Sequence, residues 1–325
     1  MDYGLPGIRR EAMITVPAYA KINLTLEVLG KRADGYHEVA TVLQEIELKD
    51  TLSFERHRGI IIDCDYPDLA FPIPSRKYKK NMPLTEPGES NRATPKKHKE
   101  STNLVLEAAK LLQQVTGSRQ GAAISIEKGI PIAAGLGGGA SDAAATLRAL
   151  NDLWELELPL DKLLQLASRL GSDIPFFLYG GTALGEGRGE GVRPLPIFPP
   201  SWVVLFRPPV AIPLNKTEYL YTSLDPSCFN EGQFTSRMVE LLRQGDEPQL
   251  SSLYNAFEMI AFTVYAGLEE HWRHFSALGA DNIHLAGSGP TLFTIVRDMA
   301  QGEGLNSSLL SKGLEAYLVQ TMAGR

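Results

Sequence analysis

Pro131-Ile132-Ala133-Ala134-Gly135-Leu136-Gly137-Gly138-Gly139-Ala140-Ser141-Asp142 puts four glycines within five residues. An alternating apolar run (Ala122 to Lys128) precedes it and an alanine-rich run (Ala140 to Leu153) follows. The order is strand, glycine loop, helix. Glycine lets the backbone turn through positive φ and approach a ligand with no Cβ in the way. The helix start behind the loop offers unpaired N–H groups and the positive end of its dipole. Such a combination is an anion site, most often for phosphate; the alternative is a glycine hinge with no ligand. Two other nucleotide loops fit less well. No Gly-Lys-Ser/Thr occurs, which excludes a P-loop. Gly135-Leu136-Gly137-Gly138-Gly139-Ala140 fits the dinucleotide fingerprint, but Glu155 and Glu157, at the distance of its acidic residue, flank a helix end before Pro159 instead of closing a strand.

The chain around this loop is of ordinary globular composition: 325 residues, 43% hydrophobic and 22% charged, enough for two domains. A net charge of −6 argues against general nucleic-acid or anionic-membrane binding. Cys64 and Cys228 have no metal spacing and read as free thiols in a reducing compartment. With no apolar run of membrane length and no signal core, the expectation is a cytoplasmic protein.

Upstream of the loop, residues 1–12 carry little pattern, and folding is expected to begin near Met13. From Lys21 the sequence alternates, with Ile22, Leu24, Leu26 and Val28 on one face and Lys21, Asn23, Thr25 and Glu27 on the other. Period two predicts a half-buried strand with a solvated polar face. Arg32-Ala33-Asp34-Gly35-Tyr36-His37 is a turn by its Asp-Gly pair, and Tyr36 with His37 offers a ring and a polar edge suited to a nucleobase. Val42 to Leu48 and Thr51 to Glu55 read as two strands joined at Lys49-Asp50, followed by Ile60-Ile61-Ile62. Residues 66–100, with six prolines and clustered lysines, read as a disordered surface insertion without a core. Ser101-Thr102-Asn103 caps a helix that ends before Gly117.

Downstream, helices are expected over Ala140 to Trp154 and from Asp161 to Leu170. The second stops at Gly171-Ser172-Asp173-Ile174-Pro175-Phe176-Phe177, where Asp173 is either a turn former or a poised carboxylate. Pro194 to Pro200 reads as a linker, and Val203 to Phe206 as a buried strand opening a second domain. Helices follow at 234–244 and within 248–277. His271 and His274, at i and i+3, have no third ligand near in sequence and read as a solvated helix face, so no protein metal ligands are assigned. Ile283 to Phe293 is strand, glycine turn, strand.

The glycine loop and its flanks resemble the second motif of the GHMP kinases (galactokinase, homoserine, mevalonate and phosphomevalonate kinases). Ala20-Lys21-Ile22-Asn23-Leu24 resembles a first motif, Ala286-Gly287-Ser288-Gly289-Pro290 the third, and Gly35-Tyr36-His37 and Gly-Ser-Asp-Ile-Pro-Phe-Phe match further segments. The resemblance implies a two-domain α+β GHMP architecture, an N-terminal mixed sheet with helices over 13–193 and an α/β sandwich-like domain over 200–325, with the active site in the cleft between them. It implies ATP with Mg²⁺, and phosphorylation of a hydroxyl on an alcohol carrying cytidine diphosphate, in the non-mevalonate route to isoprenoid precursors. Lys21 and Asp173 are then catalytic. Pro131, Ile132, Ala133, Ala134, Gly135, Leu136, Gly137, Gly138, Gly139, Ala140, Ser141 and Asn103 bind ATP, with Asn103 near the adenine. Asn23, Tyr36, His37 and Tyr219 bind the cytidine substrate. Two positions depart from the pattern: Ile212 to Tyr219 stands where a Ser-Thr pair precedes an aromatic residue, and Ala256 replaces an Asp after Asn255. A monomer or weak homodimer is expected, acting on small molecules and not on nucleic acid or membranes. A dinucleotide-dependent oxidoreductase and a non-catalytic ATP-binding protein are the rival readings.

Overall fold

A long antiparallel pair frames the first half of the chain: β1 (Ile14–Lys31) runs against β2 (His37–His57). The computed structural model describes residues 13–65, 103–296 and 298–324; the insertion expected over 66–100 lies outside the described residues. β2 is a single strand, not two joined at Lys49-Asp50. The apparent break is a bulge, where the partners of Tyr19 and Ala20 jump from Lys49 to Ile46 and leave Glu47 and Leu48 unpaired with β1.

β3 (Ile60–Asp65), α1 (Leu104–Thr116) and β4 (Gly121–Glu127) follow, with β4 antiparallel to β2 and parallel to β3. Asn103 caps α1, its side chain accepting from the Val105 N–H at 3.0 Å. The glycine loop then leads into α2 (Gly138–Leu153), and α3 (Leu160–Leu170) and α4 (Ile174–Tyr179) complete a helical layer. That layer seals its face of the sheet with Ala143, Ala144, Leu147, Leu150, Trp154, Phe176 and Phe177, all buried with Leu52, Phe54 and Ile124. β5 (Thr182–Gly187) adds to β2, and β6 (Gly191–Pro194) to β5.

The second half supplies its own four-stranded sheet. β7 (Trp202–Arg207) is followed by α5 (Lys216–Ser223), α6 (Gln233–Gln244), β8 (Tyr254–Asn255), α7 (Glu258–Val264), α8 (Leu268–Ala277), β9 (His284–Leu285), β10 (Leu292–Val296), α9 (Met299–Leu310) and β11 (Glu315–Gln320). The strand order is β11-β7-β10-β9, antiparallel throughout. The halves are knit together: β8 pairs in parallel with β1, and one core unites Ile22, Leu24 and Val42 with Val203, Met238 and Phe293.

That junction corrects the reading of β1 as half-buried. Lys21, Asn23, Thr25 and Glu27 are all buried, because the second half of the chain covers the polar face. Each polar group there is answered. Glu27 accepts from the backbone N–H groups of Phe234 and Thr235 at the start of α6, a carboxylate on the positive end of a helix. Thr25 hydrogen-bonds Thr235, and Asn23 donates to Thr41, which donates to the Thr25 carbonyl. Alternation reports which residues are apolar; it does not report what covers the other face.

Candidate active site

Two glycine-bearing segments meet beside β1, the loop between β4 and α2 and the turn between β9 and β10. The loop's feet are fixed first. Asp50, fully buried, accepts from the Gly129 and Ile130 N–H groups at 2.7 and 2.8 Å. Its other oxygen pairs with Lys128, which also reaches Asp142 of α2 at 2.9 Å. Two buried carboxylates thus share one ammonium, and burial raises the Asp142 pKa to about 7 against the pull of Lys128. The strand end and the helix start are thereby clamped together across the loop.

The loop itself interlocks with the turn between β9 and β10. Lys21 N–H donates to the Leu136 carbonyl at 3.0 Å, and Thr291 N–H to that of Ala134 at 3.3 Å. Gly135 has φ 87°, and a Cβ there would lie 2.0 Å from the Ala286 carbonyl oxygen. Gly287, at φ 53°, faces Lys21, whose Nζ would be 2.6 Å from a Cβ. Only glycine supplies both the positive φ and the close approach at these two places. Asn255, the residue before the substituted Ala256, donates to the carbonyls of Leu285 and Gly287, and Glu258 accepts from the Leu285 N–H. This segment, read from sequence only as a motif, is the scaffold of the third glycine turn.

Lys21 stands at the centre. Its ammonium donates to Asn23 Oδ1 and to the Gly135 carbonyl, each at 2.9 Å, and lies 4.0 Å from Asp173 Oδ2. Burial lowers its pKa, and the Asp173 charge offsets part of that. Asp173 sits at the start of α4 yet makes no capping bond to it, and its side chain is 49% exposed. The chain therefore delivers an uncommitted carboxylate beside a buried lysine. Ser141 is buried in the first turn of α2, its N–H on the Gly137 carbonyl. Asn103 precedes Leu104, whose Cδ1 would be 3.8 Å from a Cβ on Gly139, so the start of α1 borders the loop. Ala133 and Gly139 are exposed, whereas Ala134 and Leu136 are buried as its anchors.

The aromatic end lies where β2 begins. Tyr36 is 57% exposed, with the Arg188 guanidinium 4.8 Å from its ring centre. His37 stacks on Tyr221 at 5.0 Å and 18°, and Phe229 meets it edge-on at 5.9 Å. Burial lowers the His37 pKa, with Lys31 adding to the effect. Burial raises that of Tyr221, with a smaller contribution from the Asp173 charge, so this ring is within electrostatic reach of the carboxylate. Of the two α5 rings, Tyr221 is the one that packs on His37, whereas Tyr219 is 49% exposed. The signal was helical spacing: Tyr221 is four residues after Thr217, whose hydroxyl contacts that of Ser288 at 3.2 Å, so both lie on the face turned to the site. Lys216, on the first turn of the same helix, was also missed; it donates to the carbonyls of Ala133 and Gly289.

Comparisons with known proteins agree with this geometry. The model of the GHMP kinases N terminal domain matches residues 103–181. A 4-diphosphocytidyl-2-C-methyl-D-erythritol kinase of Dehalococcoides mccartyi is 39% identical over 310 residues, covering 95% of this chain and 99% of the relative. One from Pelotomaculum thermopropionicum is 40% identical over 290 residues, covering 88% and 90%. A crystal structure of a 4-(cytidine 5′-diphospho)-2C-methyl-D-erythritol kinase superposes with a TM-score of 0.73 at 30% identity, covering 96% of this chain and all of that one. Homoserine kinase from Cytophaga hutchinsonii, at 15% identity and a TM-score of 0.65, shares the fold. With the interlocked glycine segments, the paired Lys21 and Asp173, and relatives matched over nearly their full length, the chain belongs to the 4-diphosphocytidyl-2-C-methyl-D-erythritol kinase family of GHMP kinases.

Proposed function

We propose that this protein transfers the γ-phosphoryl group of ATP to the 2-hydroxyl of 4-(cytidine 5′-diphospho)-2-C-methyl-D-erythritol, in the cytoplasm, as a step toward isoprenoid precursors. The observation that carries the reading is the position of one ammonium: Lys21 touches the phosphate loop at Gly135 and lies 4.0 Å from Asp173. A phosphoryl donor held by the loop and a hydroxyl beside Asp173 would meet there. The division into 13–193 and 200–325 puts Lys21, Asp173 and the loop on one side of that cleft and Tyr221 on the other.

Phosphoryl transfer asks for phosphates held in place, charge neutralised, and a base at the attacking oxygen. The exposed N–H groups of the loop and the start of α2 serve the first. Asp173 accepts the hydroxyl proton as the oxygen attacks phosphorus, and ADP leaves. Lys21 orients that carboxylate and holds charge between it and the incoming phosphate. Among the described residues no three His, Cys, Asp or Glu side chains converge on a metal position. Mg²⁺ would arrive on the nucleotide, and Ser141, in the first turn of α2, would be the side chain placed to hold it. Mg²⁺, when bound, neutralises charge on the β- and γ-phosphates. Tyr36 stacks on the cytosine. His37, its pKa lowered by burial, is neutral near pH 7 and keeps one donor and one acceptor nitrogen for polar recognition at the base site. No helix among the described residues is long and apolar enough to cross a membrane. We take the working form to be a monomer or weak homodimer.

The test is turnover of the cytidine substrate with ATP and Mg²⁺, the product examined by ³¹P NMR. A new phosphomonoester on the 2-oxygen is expected; phosphate on another hydroxyl, or on none, overturns the assignment.

A further inference from the structure

Lys216 takes no part in the phosphoryl transfer described above, yet it joins the two glycine segments. Its ammonium donates to the Ala133 carbonyl at 2.7 Å and to the carbonyl of Gly289. On either side, Arg207 of β7 donates to the Ile132 carbonyl at 3.3 Å, and Lys21 of β1 to that of Gly135 at 2.9 Å. Three cations from three elements thus hold three carbonyls within four residues of one loop. A trans peptide unit points its N–H away from its C=O. Fixing the carbonyls of Ile132, Ala133 and Gly135 therefore turns the N–H groups of Ala133, Ala134 and Leu136 to the other side.

Ala133 is the strained member, at φ 55° in the left-handed region. A non-glycine residue there is strained and persists only when its surroundings hold it. Lys216 is the side chain that holds its carbonyl. We infer that Lys216 is a positioning residue for the nucleotide: it braces the carbonyl side of the phosphate loop against the third glycine turn, so that the loop's N–H side is preformed for a triphosphate. This rests on the kinase reading above. Burial, with Lys21 and Arg207 nearby, lowers the Lys216 pKa to about 7. An anion arriving on the loop favours its charged form, so the nucleotide strengthens the brace that receives it. The ammonium is already bonded to one carbonyl of the loop and one of the glycine turn, which places its action on the loop and not on substrate directly.

Calorimetric titration of the full chain with ATP, and separately with the cytidine substrate, tests the inference. In Lys216→Met the Kd for ATP is expected to rise about tenfold, near 1.4 kcal/mol, while the Kd for the cytidine substrate stays within about twofold. Lys216→Arg, which can still donate to both carbonyls, is expected to recover most of the loss. An unchanged ATP Kd in Lys216→Met, or an equal loss on both ligands, overturns the role. Should Lys216→Met not fold, Lys216→Gln, which keeps a donor without charge, is measured by the same criteria. Wild-type protein that fails to bind ATP removes the kinase reading itself; wild-type binding with no effect of the substitution removes only the role of Lys216.

Discussion

The phosphate-loop end and the aromatic end of the cleft are built in opposite ways. The loop is contiguous, from Pro131 to Asp142, and its shape is set by backbone conformation: positive φ at Gly135, close approach to Ala286, and a helix start behind it. The aromatic end is assembled from side chains on separate elements, Tyr36 and His37 at the start of β2, Tyr221 on α5 and Phe229 beyond it. A contiguous backbone site is written in order along the sequence. A site made by tertiary packing is visible only once the faces of the helices are known.

Asp173 bridges the two ends, and replacing it makes the largest break. In Asp173→Asn, kcat is expected to fall about 1,000-fold, within the range for loss of a general base, while calorimetric affinities for ATP and the cytidine substrate hold. Normal turnover in a folded variant would remove Asp173 from the chemistry. Next comes the loop. Gly135→Ala puts a methyl group 2.0 Å from the Ala286 oxygen at a φ that alanine resists, so ATP affinity is expected to fall more than about tenfold with a lower Tm. If nucleotide binding survives intact, backbone shape is not what defines this end.

The aromatic end should respond through side chains alone. Tyr221→Ala and Tyr36→Ala are each expected to raise KM for the cytidine substrate by about tenfold, roughly the worth of one stacked base, with KM for ATP unchanged. Tyr219→Ala is expected to leave both constants in place. A larger effect at Tyr219 than at Tyr221 would return the stacking role to the residue chosen from sequence.

These outcomes follow the line between what was legible and what was not. The glycine loop, the Lys21 strand, the Asp173 turn and the hairpin of the third motif are local patterns, and the fold places them together. The polar face of β1 was misread because its cover, α6, comes about 200 residues later; nothing near Glu27 announces Phe234 and Thr235 as its partners. Lys49-Asp50 looked like a turn because Asp50 is polar, whereas it is buried and spent on the Gly129 and Ile130 N–H groups. Tyr221 was not singled out because the segment was read by distance along the chain and not by helix face.

The smallest effect lies beneath the loop. The Asp142 pKa is raised in the folded chain, chiefly by burial, so between its ordinary value and about 7 the folded state keeps a proton that the unfolded state has released. Stability from this group therefore declines as pH rises through that window and levels off above it. Asp142→Asn lacks the titration, so its Tm relative to wild type is expected to climb between about pH 4 and 7 and to level off above that. A constant difference across that range would mean that Lys128 holds Asp142 ionised throughout.

The central claim is that one cleft reads a cytidine at one end and presents ATP at the other. Its most direct test is ADP release by the purified protein with ATP and Mg²⁺, offered the diphosphocytidyl methylerythritol, mevalonate, homoserine and galactose in parallel. Turnover confined to the cytidine compound is the predicted result; equal or faster turnover of any of the other alcohols would contradict it.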